Sequence, residues 1–234
     1  MKRRSTVLSR GNSGLINKTL AVYAKDMRLE FRTKYAINAI LLFGISTLAV
    51  VSFSLGQSGL SPQLLAALFW VVMFFSAMSG LAQVFIREEE AGTSLALKLS
   101  ADPEPIYFGK LFFNLTLMCI MTFVITPVFF IFTDAPTDNI PVFFVILILG
   151  VFCLCAATTL VAAIIARASV KGALFSVMSF PIMLPLLMVL VKGSEKALKN
   201  QPITEIATEL QFLVSFTVIM IVLSSLLFKF VWQD

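Results

Sequence analysis

The chain has 234 residues, 59% of them hydrophobic and only 13% charged, and its mean hydropathy is +0.95. A soluble domain of that composition has too little polar surface to cover itself, so the expected solvent is a lipid bilayer. The net charge is +5 and there is no histidine, which removes the commonest general base, metal ligand and haem axial ligand from the chemistry this chain can do.

Residues 1–14 show no apolar periodicity and are expected to form a disordered tail. Segment 15–35 is basic but carries Leu20, Tyr23, Met27 and Phe31 at spacings of three and four, the pattern of an amphipathic helix lying at a membrane surface and leading into the first span as an elbow. Residues 36–234 then read as one permease-sized membrane domain. Six runs in it contain no Lys, Arg, Asp or Glu: Ala36–Leu55, Pro62–Ile86, Leu111–Thr133, Ile140–Ala166, Gly172–Val191 and Leu210–Phe228. About 20 apolar residues cross the hydrocarbon core as a helix, and helices satisfy their own backbone groups there. The expected fold class is all-α, with six transmembrane helices and no cleavable signal peptide, because the first long apolar run starts at Ala36 and continues for a full membrane thickness.

Charge gives the sidedness. Of 18 basic residues, only Lys192, Lys196 and Lys199 fall on one side of this topology, and the others precede span one, separate spans two and three or four and five, or follow span six. Both termini are therefore expected in the cytoplasm. The net charge then reports topology and contact with anionic lipid, and no nucleic-acid partner is needed to explain it. Cys119, Cys153 and Cys155 lie in predicted spans and read as small apolar fillers.

Two connections stand out from the short turns at Gly56–Ser61 and Asp134–Asn139. On the cytoplasmic side, Arg87, Glu88, Glu89 and Glu90 are followed by Gly92-Thr93 and then Leu95, Leu97 and Leu99. Charged groups beside an apolar anchor suit docking to a partner, although three glutamates can equally mark the solvated end of a span. Asp102, Pro103 and Glu104 read as an N-cap, a first-position proline and a first-turn carboxylate. On the outer side, Lys192–Glu209 places Ile203, Ile206, Ala207 and Leu210 at helical spacing, which suggests a short interfacial helix. Within span five, Pro181 and Pro185 each remove a backbone donor, so a kink or unwinding is expected, serving as a hinge, a pathway lining or a static bend.

One function is excluded and another disfavoured. Gly109-Lys110 lacks the upstream glycine and following hydroxyl of a P-loop, so ATP-driven work needs a partner ATPase. The spans carry no ionisable Asp, Glu, Lys or Arg, the groups that ion-coupled carriers bury. No catalytic residues and no metal ligands are assigned, and no cofactor is expected on this chain alone.

Together these motifs resemble the CcmB family, the haem exporter membrane components of the cytochrome c maturation system. Lys25-Asp26-Met27-Arg28-Leu29-Glu30-Phe31-Arg32 is similar to its K-D-x-R-x-E-x-R stretch. Phe85-Ile86-Arg87-Glu88-Glu89-Glu90-Ala91-Gly92-Thr93 resembles its F-x-R-acidic-acidic motif followed by G-T/S-L. Pro181-x-x-x-Pro185-Leu186-Leu187 is similar to its P-x-x-x-P-L-L, and Ile106-Tyr107-Phe108-Gly109-Lys110 to its Gly-Lys lead into span three. This chain departs from that pattern in the extra Ile86, in glutamates replacing aspartates, and in Ser94 between Thr93 and Leu95.

The resemblance implies a type-2-like ABC permease in the bacterial inner membrane. It implies a soluble ABC ATPase partner carrying the ATP, a haem-handling membrane subunit and a small accessory membrane subunit. A periplasmic haem chaperone is then an indirect partner, and haem a cargo of the complex. It also implies an ATPase-coupling role for Phe85, Arg87, Glu88, Glu89, Glu90, Gly92, Thr93 and Leu95, with Lys25, Asp26, Arg28, Glu30 and Arg32 in the elbow. Two alternatives keep the fold: an ABC export permease for another substrate, and a mechanical coupler with no translocation pathway.

Overall fold

The structure is a computed structural model that describes residues 4–55, 60–81, 88, 92–93, 96–97, 99, 102–136, 139–165 and 171–233, with backbone only at 4–13, 54–55, 163, 165, 171–178 and 229–233. Its helices, in chain order, are α1 (Arg4–Thr33), α2 (Tyr35–Leu55), α3 (Pro62–Leu81), α4 (Pro103–Thr133), α5 (Ile140–Ile165), α6 (Lys171–Leu198) and α7 (Ala207–Gln233), with a single 3₁₀ turn at Ile203–Glu205. No strand occurs among the described residues.

Five of these helices are long and apolar enough to cross a membrane, the spanning parts being Tyr35–Phe53, Pro62–Leu81, Pro103–Thr133, Ile140–Ala162 and Ala207–Phe228. The sixth expected span falls on α6, which has 28 residues. Its first eight side chains lie outside the described set, and its last turns carry Lys192, Glu195 and Lys196. The chain is a multi-pass helical membrane protein.

The bundle centres on α3 and α5, whose spanning windows are 67% and 61% buried, against 22% for α2 and 17% for α7. One group packs α2 on α3 and α4, with α1 laid along α4; the other packs α5 on α6 and α7. Contacts of α3 with α6 and of α4 with α5 join the two groups. At the join, Phe69 meets Trp70, Phe129 and Phe143 edge-on at ring separations of 5.0–5.4 Å, a geometry that favours aromatic pairs beyond their buried area. Close approach needs small residues, as membrane interfaces generally do. A Cβ on Gly150 would collide with the Trp70 ring, and one on Gly109 would sit 3.0 Å from the backbone oxygen of Thr19 in α1. Outward-facing Leu42, Phe53, Phe123 and Ile131 are 70–90% exposed, a surface suited to lipid and not to water.

Two polar pairs tie buried parts of the helices to one another. Trp70 Nε1 donates to Ser194 Oγ at 2.8 Å, and Asn114 Nδ2 donates to Thr159 Oγ1 at 2.9 Å. Cys153 and Cys155 are buried and form no disulfide, while Cys119 is exposed.

Three expectations are corrected. Helix α1 begins at Arg4 and so covers most of the stretch expected to be a disordered tail; extending a helix that packing already fixes costs far less than nucleating one, so weak periodicity does not end it. The connection expected on the outer side, residues 192–209, holds no separate interfacial helix. Instead α6 runs on to Leu198, the 3₁₀ turn follows, and Ile206 is fully buried. The charges there pair with one another, Lys196 with Glu209 at 2.7 Å and Lys199 with Glu195 at 2.6 Å. Finally, α6 does not unwind and runs as one helix through Pro181 and Pro185. Both prolines are on the exposed side, whereas Met183, Leu186 and Leu190 form the buried face.

Candidate functional site

Helix α1 has three faces, and the sequence pattern assigns them differently from the structure. Thr19, Val22, Asp26 and Glu30 are buried. The apolar face is turned outward: Ile16, Leu20 and Phe31 are 55–61% exposed, and Tyr23 and Met27 sit at its inner margin against the core. Lys25, Arg28 and Arg32 form a third, basic face. Facing apolar side chains outward and carboxylates inward suits a helix resting on lipid, where the low-energy place for a charge is against an opposite charge in the protein.

The buried carboxylates meet a lysine that begins a span. Lys110, in the second turn of α4, is fully buried, and its Nζ lies 3.3 Å from Asp26 Oδ2 and 3.2 Å from Glu88 Oε1. Lys25 Nζ is 3.3 Å from Asp26 Oδ1 and also donates to Glu88 Oε1. Thr93 Oγ1 donates to Glu88 Oε2 at 2.8 Å. Two ammonium groups and two carboxylates thus form a neutral quartet. It joins α1, the segment after α3, and α4.

Local backbone chemistry sets the quartet in place. The Thr93 N–H bonds to the Glu88 carbonyl at 3.0 Å, across Gly92 at φ 64°. A six-to-one bond around a left-handed glycine is a helix-ending motif, and here it also brings the Thr93 hydroxyl onto the Glu88 carboxylate. The Leu97 N–H then bonds to the Thr93 carbonyl at 3.0 Å and starts a new helical turn. At the other side of the hub, Glu30 forms the elbow. Its backbone carbonyl accepts from Lys34 N–H at 2.5 Å, Lys34 takes φ 52°, and its carboxylate accepts from Ile37 N–H at 2.9 Å at the start of α2. A carboxylate there satisfies an orphan donor and meets the positive helix end.

Burial opposes the charge of Glu88, but the Lys110 ammonium and the hydrogen bonds from Lys25 and Thr93 more than offset it, and its pKa falls to about 2. Burial likewise opposes the charge of Lys25, yet Asp26 and Glu88 raise its pKa above the usual lysine value. Both groups remain ionised across the physiological range.

Of the residues singled out in the sequence, the structure brings together Lys25, Asp26, Glu88, Gly92 and Thr93, with Glu30 one turn further along α1. Arg28 and Arg32 are exposed beside them. Phe85, Arg87, Glu89, Glu90 and Leu95 lie outside the described residues. Pro181 and Pro185 belong to α6, which packs on α3, α5 and α7, whereas α1 packs on α4 and α2. Glu88 is 7% exposed and its carboxylate is engaged by Lys25, Lys110 and Thr93. Asp102 sits at the start of α4 as expected, but its side chain pairs with Lys18 at 3.0 Å and does not cap the helix. Sequence reasoning missed Lys110 as a buried charge, although a lone lysine opening a long apolar run is the available signal.

A multi-pass helical membrane protein with an N-terminal helix ionically clamped to the start of a span is the class this architecture defines. The family model described as CcmB protein matches residues 17–230, a stretch that includes every member of the hub, and the chain belongs to that family. It is accordingly a membrane component of haem export for cytochrome c maturation, a transporter subunit and not a known enzyme. Comparison with curated proteins gives no match.

Proposed function

We propose that this chain is the permease subunit of an ABC-type complex in the bacterial inner membrane, with both termini in the cytoplasm, and that it receives the work of a soluble ATPase through residues 87–99. The observation that carries this reading is the quartet of Lys25, Asp26, Glu88 and Lys110. A segment that protrudes between two spans can dock a partner, but it transmits force only if it is fixed to the spans. Glu88 is held by a lysine from α1 and a lysine from α4, so displacement of the segment pulls on both helices. In this reading Glu88 anchors, while Arg87, Glu89, Glu90 and Leu95 meet the ATPase.

Haem is the cargo of the complex, and a histidine-free chain leaves its axial ligation to the haem-handling membrane subunit. A small accessory membrane subunit and the periplasmic haem chaperone complete the set of partners. Coupling without a pathway through this subunit fits the hub equally well, since the hub moves helices and binds no cargo.

The test is co-purification in mild detergent. Glu89→Lys with Glu90→Lys places like charges where attraction is proposed, and juxtapositions of that kind cost several kcal/mol, with about 1.4 kcal/mol already tenfold in affinity. The variant should reach the membrane at normal levels and lose its ATPase, as should Leu95→Asp, while Glu195→Lys at the far end retains it. Full ATPase recovery with both cytoplasmic variants would reject residues 87–99 as the docking segment.

A further inference from the structure

Beside the hub lies an open cleft of about 1030 Å³ between α1 and the turn at residues 96–97. Lys25, Arg28 and Arg32 line one wall, and Ala21, Ala24, Leu29 and Leu97 supply an apolar lining. Lys25 is engaged by Asp26 and Glu88. Arg28 and Arg32, one turn apart and exposed, have no carboxylate partner among the described residues. Among the described residues, the only carboxylate lining the cleft is Glu88, whose charge is already neutralised by two lysines. The cleft therefore offers two guanidinium groups with no carboxylate partner among the described residues, above an apolar floor and on a helix whose neighbouring face exposes Ile16, Leu20 and Phe31.

We propose that this cleft binds one anionic phospholipid of the surrounding membrane, its phosphate and acidic headgroup held by Arg28 and Arg32 and the upper part of its chains lying on Leu29 and Leu97. Guanidinium forks match phosphate oxygens in bidentate geometry, and basic residues at a membrane surface select acidic over zwitterionic lipid. The lipid then lies against the wall of the hub, so its presence supports the face of α1 that carries Lys25. The inference rests on the interfacial placement of α1, and because the opposite wall of the cleft belongs to residues 87–99, lipid retention and ATPase recovery are read separately.

Native mass spectrometry of the full chain in mild detergent tests it, with phosphatidylglycerol and phosphatidylcholine of equal chain length as probes. The wild type should retain one phosphatidylglycerol and no phosphatidylcholine. Arg28→Gln with Arg32→Gln should weaken that retention by about tenfold or more, and Arg28→Lys with Arg32→Lys by less, since charge without the fork remains. Equal retention by wild type and the glutamine variant, or equal retention of the two lipids, overturns the proposal. Displacement of phosphatidylglycerol by millimolar inorganic phosphate would make it a site for free phosphate and overturn it as well. So would a glutamine variant that keeps its lipid but loses the ATPase, which would assign the cleft to a protein surface. Quenching of a Phe31→Trp variant by brominated lipid reports the placement of α1 separately: quenching without lipid selectivity rejects the cleft and keeps the interfacial helix.

Discussion

Lys110 is the residue that holds the hub together. A fully buried ammonium is made tolerable by Asp26 and Glu88, which lie within 3.3 Å of it, and removing one partner of such a cluster costs about 3–5 kcal/mol because the remaining charge is left unpaired. The carboxylates bring a pH dependence whose sign is fixed. The pKa of Glu88 is depressed from 4.5 to about 2, so its contribution is present above 4.5 and is lost as the pH falls toward 2. The thermal midpoint of the purified protein should hold steady from neutrality down to about pH 5 and then fall, and Glu88→Gln should flatten that acid limb. An acid limb unchanged in Glu88→Gln would place the titration elsewhere. None of these pairings is legible in the sequence alone. The K-D, E-E-E and G-K motifs lie 22 to 84 residues apart, and only the packing of α1 on α4 brings them together.

Among the elements, the spans are the part most plainly written in the chain. Runs of about 20 uncharged residues leave a helix as the one structure that satisfies its own backbone in lipid. What the pattern does not carry is the orientation of a helix at the boundary. The stripe of Leu20, Tyr23, Met27 and Phe31 marks α1 as amphipathic, yet in lipid an apolar face points outward as readily as inward, and here the buried face is the one with Asp26 and Glu30. The same limit applies to α6. Two prolines announce disturbed hydrogen bonding but not its form, and the helix runs through both with their rings on the exposed side. If they serve as a hinge, replacing Pro181 and Pro185 by alanine restores two backbone bonds, leaves membrane levels unchanged and lowers cytochrome c maturation in a complementation assay. Maturation at the wild-type level would make them a static feature of the helix.

For the whole molecule, the hub and the pairs Lys196–Glu209 and Lys199–Glu195 lie at opposite ends of the bundle. The basic residues gathered at the hub end predict that this end faces the cytoplasm. In a background with Cys119, Cys153 and Cys155 replaced by alanine, Thr204→Cys should react with an impermeant maleimide in whole cells after outer-membrane permeabilisation, and Leu99→Cys only in inverted vesicles. Both side chains are exposed, so labelling of both from outside would sink the topology. The central claim is that the hub converts ATPase docking into helix movement, and it predicts a separation of binding from work. Glu88→Gln with Lys110→Met removes one charge of each sign, leaves Lys25 paired with Asp26, and cuts the tie between residues 87–99 and α4. The decisive measurement is cytochrome c maturation by this double variant, scored against its membrane level and its co-purified ATPase. A coupling hub predicts a normal level, full ATPase recovery and maturation reduced about tenfold or more, since 1.4 kcal/mol of lost coupling already gives that factor. Wild-type maturation by the double variant would contradict it.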